Sequence, residues 1–438
     1  MRKYYQAALA VTAIVSLVSL LFYRHEYYKL RYVLEVFNYF GKPNQKSVGT
    51  NCTNNVPIFT KFNMKFEEPL SSWQRLDNDL YVYSAYNIRE KEVQVIGFGS
   101  LNSIQDMQCV IFFENEIKPI LGSFTYVSID SNFNFSNVDK SSNYHGYHFY
   151  CTYTKNAIPV GITFLTKSNT YLNDTPILPI RSQSYSSNYT SVGVCVSPPL
   201  TKPMHLTDMF AFINFHDVIG MDNFIIYDFG IPNDFNSNLK DASKFQNPYW
   251  KFTYTTVPWN FPFSGIHSNV IKNVIQADCL YRTYKKVMYV TTISWEEYLV
   301  LKYHHSLIDL VADFKRSRMK SNHYKINTLT FCTQQADNTD IKNSTFTIFK
   351  KTRFDPSIID NRPTYIYNAH EILKKDNTHI QEIRKDLVTL NRYKYCFEKP
   401  DPDTGTQETS ILRFKEDIQN SPMFVKFIMD SKVVLSKR

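Results

Sequence analysis

Between Leu80 and about residue 180 the apolar positions fall in short alternating runs; beyond Val192 they form strand-like blocks separated by stretches of helical spacing. In the first region LYVYSAYNIREKEVQVIGFGS predicts two strands, 80–86 and 92–98, around the polar break Asn87–Lys91. QCVIFFENE, YHFYCTYTK and PVGITFLTK add further strands, so 75–185 is expected to be an antiparallel β region. The polar stretch SQSYSSNYTS at 182–191 marks a boundary.

After that boundary the rhythm changes. VGVCVS (192–197), NFIIYDF and KFTYTTVPW (251–259) predict strands, and KVMYVTTI (286–293) predicts one buried on both faces. Between them HLTDMFAFINFHDVIG (205–220) has helical spacing, with Thr207 or Asp208 as N-cap and Gly220 as C-cap. SNVIKNVIQADCLYRTYK (268–285) predicts a second helix, with Ser268 as its cap and Val270, Ile271, Val274, Ile275 and Cys279 as its apolar stripe. Strand–helix–strand repetition implies a mainly parallel sheet, and such sheets bind ligands beyond the carboxyl ends of their strands. Here those ends are Val196–Ser197, Tyr227–Asp228, Val257–Trp259 and Ser294–Glu297.

Composition narrows the picture. Aromatic residues make up 16% of the 438, which excludes a disordered chain. The net charge of +9 is spread along the sequence and suits an anionic small molecule, a membrane surface or simply a basic exterior. No aromatic-basic motif accompanies it, so nucleic acid is not an expected partner. Arg2 and Lys3 precede an uncharged run, 4–23, and twenty residues of helix span about 30 Å, the thickness of a bilayer core. Tyrosines at both ends fit interfacial anchoring, and Ala8 and Ala10 come too early to be a cleavage pair, which favours an uncleaved signal anchor. Five sequons (at Asn51, Asn134, Asn173, Asn188 and Asn343) and seven dispersed cysteines without a C-x-x-C fit a luminal body with long-range disulfides and one thiol left over. The organisation expected is a cytoplasmic tail (1–3), a transmembrane anchor (4–23), a stem (24–74), the β region (75–185), an α/β domain (190–400) and a C-terminal tail (401–438). In that tail SPMFVKFIMDSKVVL is expected to form a terminal helix.

The chemistry lies at the strand ends. No GxGxxG, P-loop, G-x-S-x-G or H-E-x-x-H is present, which disfavours dinucleotide dehydrogenases, phosphate-loop ATPases and the common hydrolases. What remains is acids, as a transferase needs when a divalent cation must stabilise a departing diphosphate. In an extended segment Ser294 and Glu296 point the same way and Glu297 the other. Asp228 either contacts a nucleotide or begins a turn toward Gly230. Arg282 either binds phosphate or complements the negative end of its helix. His370, after the aromatic strand TYIYNAH, is either structural or a third metal ligand. The pair His304–His305 is expected to be exposed on a helix.

At this point a series of segments resembles glycosyltransferase family 92: VYSAYNIR (82–89), VCVSPP (194–199), FHDVIGMDNFIIYD (215–228), DCLYR (278–282), EEYLV (296–300), YKINTLTFC (324–332), Arg362-Pro363 with Ala369-His370, and LNRYKYC (390–396). The resemblance covers about 80–400. It implies a GT-A fold with a mixed, mainly parallel sheet, in a type II protein of the Golgi or ER membrane. It also implies transfer of a hexose, typically galactose from UDP-galactose, onto a glycan with inversion; in some relatives the acceptor is a fucose on an N-glycan core. Inversion needs a general base, for which Glu297 is nominated. Mn2+ would be held by Ser294, Glu296 and His370, and donor phosphate by Asp228, Arg282, Arg392 and Lys394.

Three departures from the family pattern stand at these positions. Asp-x-Asp-Glu is replaced by Ser294-Trp295-Glu296-Glu297, a Gly-Gln pair upstream of DCLYR by Ile271-Lys272, and His-Tyr-Arg by Arg392-Tyr393-Lys394. They leave three readings: an active UDP-sugar transferase, a catalytically weak or inactive relative acting as a glycan-binding or partner protein, and a receptor-like ectodomain of unrelated fold.

Overall fold

The computed structural model describes Ser16, Ser19 and residues 72–421, apart from 117, 130–143, 167–171, 173–174, 183–190, 200–203, 245–252, 318, 320, 336, 339–345, 359–362, 372–379 and 397–404. The rest of the expected membrane span, the asparagines of all five sequons, Cys52 and the expected terminal helix lie outside the described residues. Among the described residues no helix is long and apolar enough to cross a membrane. The chain divides into two compact units, Met1–Pro57 and Ile58–Arg438, and every described strand belongs to the second.

The described residues of the first half form eight strands: β1 (Gln74–Asp77), β2 (Leu80–Arg89), β3 (Glu92–Ser100), β4 (Gln108–Phe113), β5 (Ile120–Ser128), β6 (Tyr144–Thr152), β7 (Pro159–Leu165) and β8 (Leu178–Ser182). Their order is β1-β2-β3-β6-β5-β4-β7-β8, and β8 also pairs in parallel with β2, so the sheet closes into a barrel. Closure removes the exposed edges that an open antiparallel sheet would leave. Alternation sends Leu80, Val82, Val93, Val95, Phe149 and Phe164 inward, where the Cys109–Cys151 disulfide joins them. A register shift between Val82 and Ser84 then changes the parity of β2, so Ala85 still faces inward while Ser84 and Tyr86 face out together.

The second half is a nine-stranded sheet. Its strands are β9 (Val192–Ser197), β10 (Asn223–Asp228), β11 (Thr253–Pro258), β12 (Tyr289–Ser294), β13 (Glu297–Leu301), β14 (His323–Cys332), β16 (Thr364–Asn368), β17 (Ile380–Glu382) and β18 (Val388–Lys394); β15 (Arg353–Phe354) and β19 (Thr406–Gln407) form a separate pair. The order is β11-β10-β9-β12-β16-β14-β18-β13, with β17 beside β14. All run one way except β16 and β13, so the sheet is mixed and mainly parallel, as expected. Among the described residues four longer helices accompany it: α1 (Leu206–Val218), α2 (Asn233–Lys244), α3 (Ser268–Thr283) and α4 (Leu307–Arg316). His267 rather than Ser268 caps α3, its ring nitrogen accepting from the Asn269 amide, and Gly220 follows α1 with φ +88°, which only glycine adopts freely.

Two packing features position the strand ends. The path from β12 to β13 crosses four strand spacings, about 19 Å if flat, yet only Trp295 and Glu296 connect them, a reach of about 11 Å. The sheet therefore curls back at β14, whose first half pairs with β16 and whose second half pairs with β18. On one face α1 packs with α4 and with residues 405–421, where Ile411, Phe414 and Ile418 are buried and Asn214 bonds the Ile418 carbonyl. That segment, assigned by sequence to a tail, completes the core. On the other face α3 lies between the sheet and the outside of the barrel, tied to β9 by Cys195–Cys279. Gly146 on β6 meets α3 there; a Cβ at that position would stand 2.5 Å from Val274.

Candidate functional site at the curled sheet

In chain order β9, β10, β11 and β12 lie third, second, first, fourth across the sheet, so the winding reverses between β9 and β12. That switch point opens a crevice at the carboxyl ends of the two strands. Their last residues, Ser197 and Ser294, are in register. Alternation puts Ser197 on the same face as Cys195 and Ser294 on the same face as Val290, which is the face α3 covers. Both hydroxyls are buried and neither has a hydrogen-bond partner. Buried hydroxyls are normally satisfied, so a pair left unpartnered at a switch point marks a place where a ligand oxygen fits. Because α3 runs back from the end of β11 to the start of β12, its N-terminal turn lies at this same edge, and Lys272 is in its second turn.

The turn after Ser294 changes the expected geometry. Trp295 and Glu296 form a tight turn and Glu297 begins β13, so the alternation assumed for an extended segment does not apply. The Glu297 carboxylate folds back, and its Oε2 accepts from the Ser294 amide (2.8 Å) and from Lys272 Nζ (2.7 Å). Its Oε1 accepts from Arg392 Nε (2.8 Å) and Nη2; Arg392 is the residue directly opposite on β18. The Tyr393 amide holds the Glu296 carbonyl (2.9 Å), and the Trp295 indole packs between Phe212 and Phe235. Burial alone would raise the Glu297 pKa, but the charges of Lys272 and Arg392, with hydrogen bonds from Lys272 and Ser294, hold it well below the usual carboxylate range.

This placement corrects three expectations. Glu297, nominated as general base, is fully enclosed, saturated with donors and strongly acidic, which suits a counter-ion and not a proton acceptor. Arg392, nominated for phosphate, is equally enclosed and committed to Glu297, while Lys394 lies half-buried at the end of β18. The proposed metal set does not assemble. His370 follows β16, which runs antiparallel to β12 with Asn368 opposite Tyr289, so His370 lies beyond the start of β12, on the order of 20 Å from Ser294. Among the described residues no group of three His, Cys, Asp or Glu side chains is placed to hold a metal ion. A neutral serine and the Glu296 carboxylate, backed by two cations, are a poor donor set for a hard divalent cation. Mn2+ does not fit these residues.

The two open alternatives for Asp228 and Arg282 resolve toward structure. Asp228 Oδ1 accepts from the Gly230 (2.9 Å) and Ile231 (2.7 Å) amides, forming the turn after β10. Arg282 pairs with Asp278 on its own helix (Nε 2.9 Å, Nη2 2.8 Å). Asp278 also receives Tyr227 OH (2.6 Å) from the sheet, and Tyr86 OH (2.5 Å) and Ser84 OH from the barrel. Burial would raise its pKa, yet Arg282 and these hydroxyls keep it lowered. Three of the resembling segments, VYSAYNIR, FIIYD and DCLYR, thus meet at one carboxylate. His304 is half-buried against Asp313 (2.6 Å) before α4 rather than exposed on a helix, whereas His305 is exposed.

Sequence reasoning missed Lys272 as a member of this cluster, although its departure from the family pattern was a signal. It also missed His216, buried on α1. The His216 Nδ1–H donates to the Phe212 carbonyl (2.8 Å) and Nε2 accepts from the Leu299 amide (3.3 Å), which supports β13 from below.

A family model described as Glycosyltransferase family 92 matches residues 190–427. The match covers the whole α/β half, including the segment 405–421 that packs against α1. No curated protein matches the chain. Among solved structures, one of a UDP-glucose pyrophosphorylase complexed with UDP-glucose is similar at 10% identity over 53% of this chain and 98% of that one, with a TM-score of 0.22, a likeness too slight to carry an argument.

Proposed function

Because the chain belongs to glycosyltransferase family 92, we propose that it transfers a hexose, galactose in the first instance, from a UDP-sugar to a glycan acceptor with inversion. The observation that carries the reading is the register of Ser197 with Ser294 at the point where the sheet reverses its winding, beside the buried Lys272–Glu297–Arg392 ion cluster. This is the corner where an open α/β sheet receives a nucleotide, and the third-second-first-fourth order supports a GT-A-type domain. In this reading the uridine and diphosphate lie across the ends of β9 and β12, and the sugar faces the turn that carries Glu296. Glu297 fixes that turn through the Ser294 amide and ties it to α3 and β18 through Lys272 and Arg392, so the turn facing the leaving diphosphate is held in place before the donor arrives.

Three disulfides among the described residues support a body that matures in an oxidising compartment, and with the apolar run 4–23 we assign it to the lumen of the Golgi or ER, anchored by one helix. A transfer assay with purified protein, a panel of UDP-hexoses and fucosylated N-glycan acceptors tests the activity. Product from UDP-galactose with inverted anomeric configuration is expected. Binding of glycan without turnover of any donor would favour the second reading, a binding protein built on the transferase fold.

A further inference from the structure

We propose that the acceptor glycan is held on the far wall of the crevice, where β18 ends, by a pyranose ring stacked on the exposed side chain of Tyr395. The inference rests on the UDP-sugar reading and supplies its acceptor side.

The first observation is place. At the edge that carries Ser197 and Ser294 the elements follow one another as β10, β9, β12, the Trp295–Glu296 turn, and then β13 beside β18. β18 ends at this edge because it runs antiparallel to β13, which begins there. The Tyr393 amide bonds the Glu296 carbonyl, and Tyr395, two residues on, is at most about 7 Å further along the chain. An acceptor that inverts the anomeric carbon attacks from the side opposite the departing group. With the diphosphate at the ends of β9 and β12 and the sugar facing the Glu296 turn, that side is the one where β18 ends.

The second observation is how the ring is presented. Among the described residues of the α/β half, the exposed large aromatic side chains are Phe229, Tyr303 and Tyr395. Tyr303 follows the end of β13, at the opposite edge, and Phe229 follows β10, across the two serines from the turn. Of the three, Tyr395 is the one beside Glu296. It is 46% exposed, yet the backbone on both sides of it is pinned. The Lys394 carbonyl accepts from the Thr333 amide (2.9 Å), and Cys396 is joined to Cys332. Gln334 Oε1 accepts from the Cys396 amide (3.1 Å), and its Nε2 donates to the Cys396 carbonyl. A lone exposed aromatic is ordinary on a protein surface, but one mounted on a fixed backbone at the rim of a site is preorganised to bind. Tyrosine has an apolar face and a polar tip, which match a pyranose with C–H groups on one face and hydroxyls around its edge.

The test compares the full-length protein with its Tyr395→Ala and Tyr395→Phe variants, using UDP-galactose and a fucosylated N-glycan acceptor. Tyr395→Ala should raise the acceptor KM about tenfold or more, while UDP affinity by calorimetry stays within about twofold of the parent. Tyr395→Phe keeps the ring and should stay within a few-fold of the parent in acceptor KM. The side chain is exposed, so both variants are expected to fold with the parent's melting temperature. A Tyr395→Ala protein with the parental acceptor KM overturns the proposal and leaves the UDP-sugar reading intact. So does one whose UDP affinity falls in step with its acceptor KM, since the ring would then serve the donor or the fold. If the parent binds the glycan without turnover, glycan dissociation constants replace KM and the same comparisons decide. Absence of both UDP binding and glycan binding in the parent overturns that reading and the proposal with it.

Discussion

Tyr86, on the outside of the barrel, donates a 2.5 Å hydrogen bond to Asp278, on the helix that covers the sheet. The contact joins the two halves through a charge that is completely buried. Asp278→Asn should cost about 3–5 kcal/mol in urea unfolding, because it leaves Arg282 uncompensated in the interior. Tyr86→Phe removes one charge-assisted bond and should cost about 1.5–3 kcal/mol. Since both changes act on one carboxylate, the double variant should cost less than their sum.

Glu297 gives a second prediction, aimed at its role. Glu297→Gln strands Lys272 and Arg392 together and should lower stability by about 3–5 kcal/mol. Thermal melts and transfer assays should therefore fall together. A variant with an unchanged melting temperature and a selective loss of kcat would restore Glu297 as the general base.

Acid should weaken the fold in two stages. Burial draws the His216 pKa down from 6.5 to about 3, against a raising hydrogen bond to Phe212, and draws that of His148 down to about 4. The unfolded chain binds these protons below 6.5 and the folded chain does not, so the stability is complete above that pH and declines as pH falls toward each folded value. At about pH 5 each histidine should have cost about 2 kcal/mol. Asp278 and Glu297 are shifted down, so their contributions hold above about 4 and are lost only below it. Denaturant midpoints measured from neutrality to about pH 5 should decline first through the histidines, and His216→Gln should flatten that part of the curve.

The Cys195–Cys279 bond closes a loop with a sequence separation of 84 residues and clamps α3 to the strand whose end carries Ser197. Replacing both cysteines by alanine should cost about 4–5 kcal/mol. Calorimetry of the variant, with peptide mapping of the parent under non-reducing conditions, checks both the magnitude and the pairing.

Much of the second half was legible because its strands are buried on both faces. VGVCVS, NFIIYD and YVTTIS are nearly continuous apolar or β-branched runs, and α1 and α3 were located to within about two residues. What escaped depended on contacts distant in sequence. Closure of the barrel requires β8 to find β2, a pairing with no local signature. The turn at Trp295–Glu296 carries no Gly, Pro or Asn and looks like more strand; it is imposed by Arg392 and Tyr393 from nearly a hundred residues further along. His370 looked like a ligand because it follows a strand, but that strand is antiparallel and delivers it to the wrong end of the sheet. Composition cannot reveal direction.

The short segment around Ile411, Phe414 and Ile418 has a consequence for how the protein is made. These side chains seal the core that begins with Val192, so the hydrophobic surface of α1 stays open until more than two hundred further residues have emerged from the ribosome. The barrel, complete by Ser182, can close early as a local unit. The sheet beside it must wait, held together by distant pairings that form slowly and expose apolar surface in the interval. Nascent chains stopped near residue 400 should accordingly be retained by chaperones with a finished barrel and an unfinished sheet.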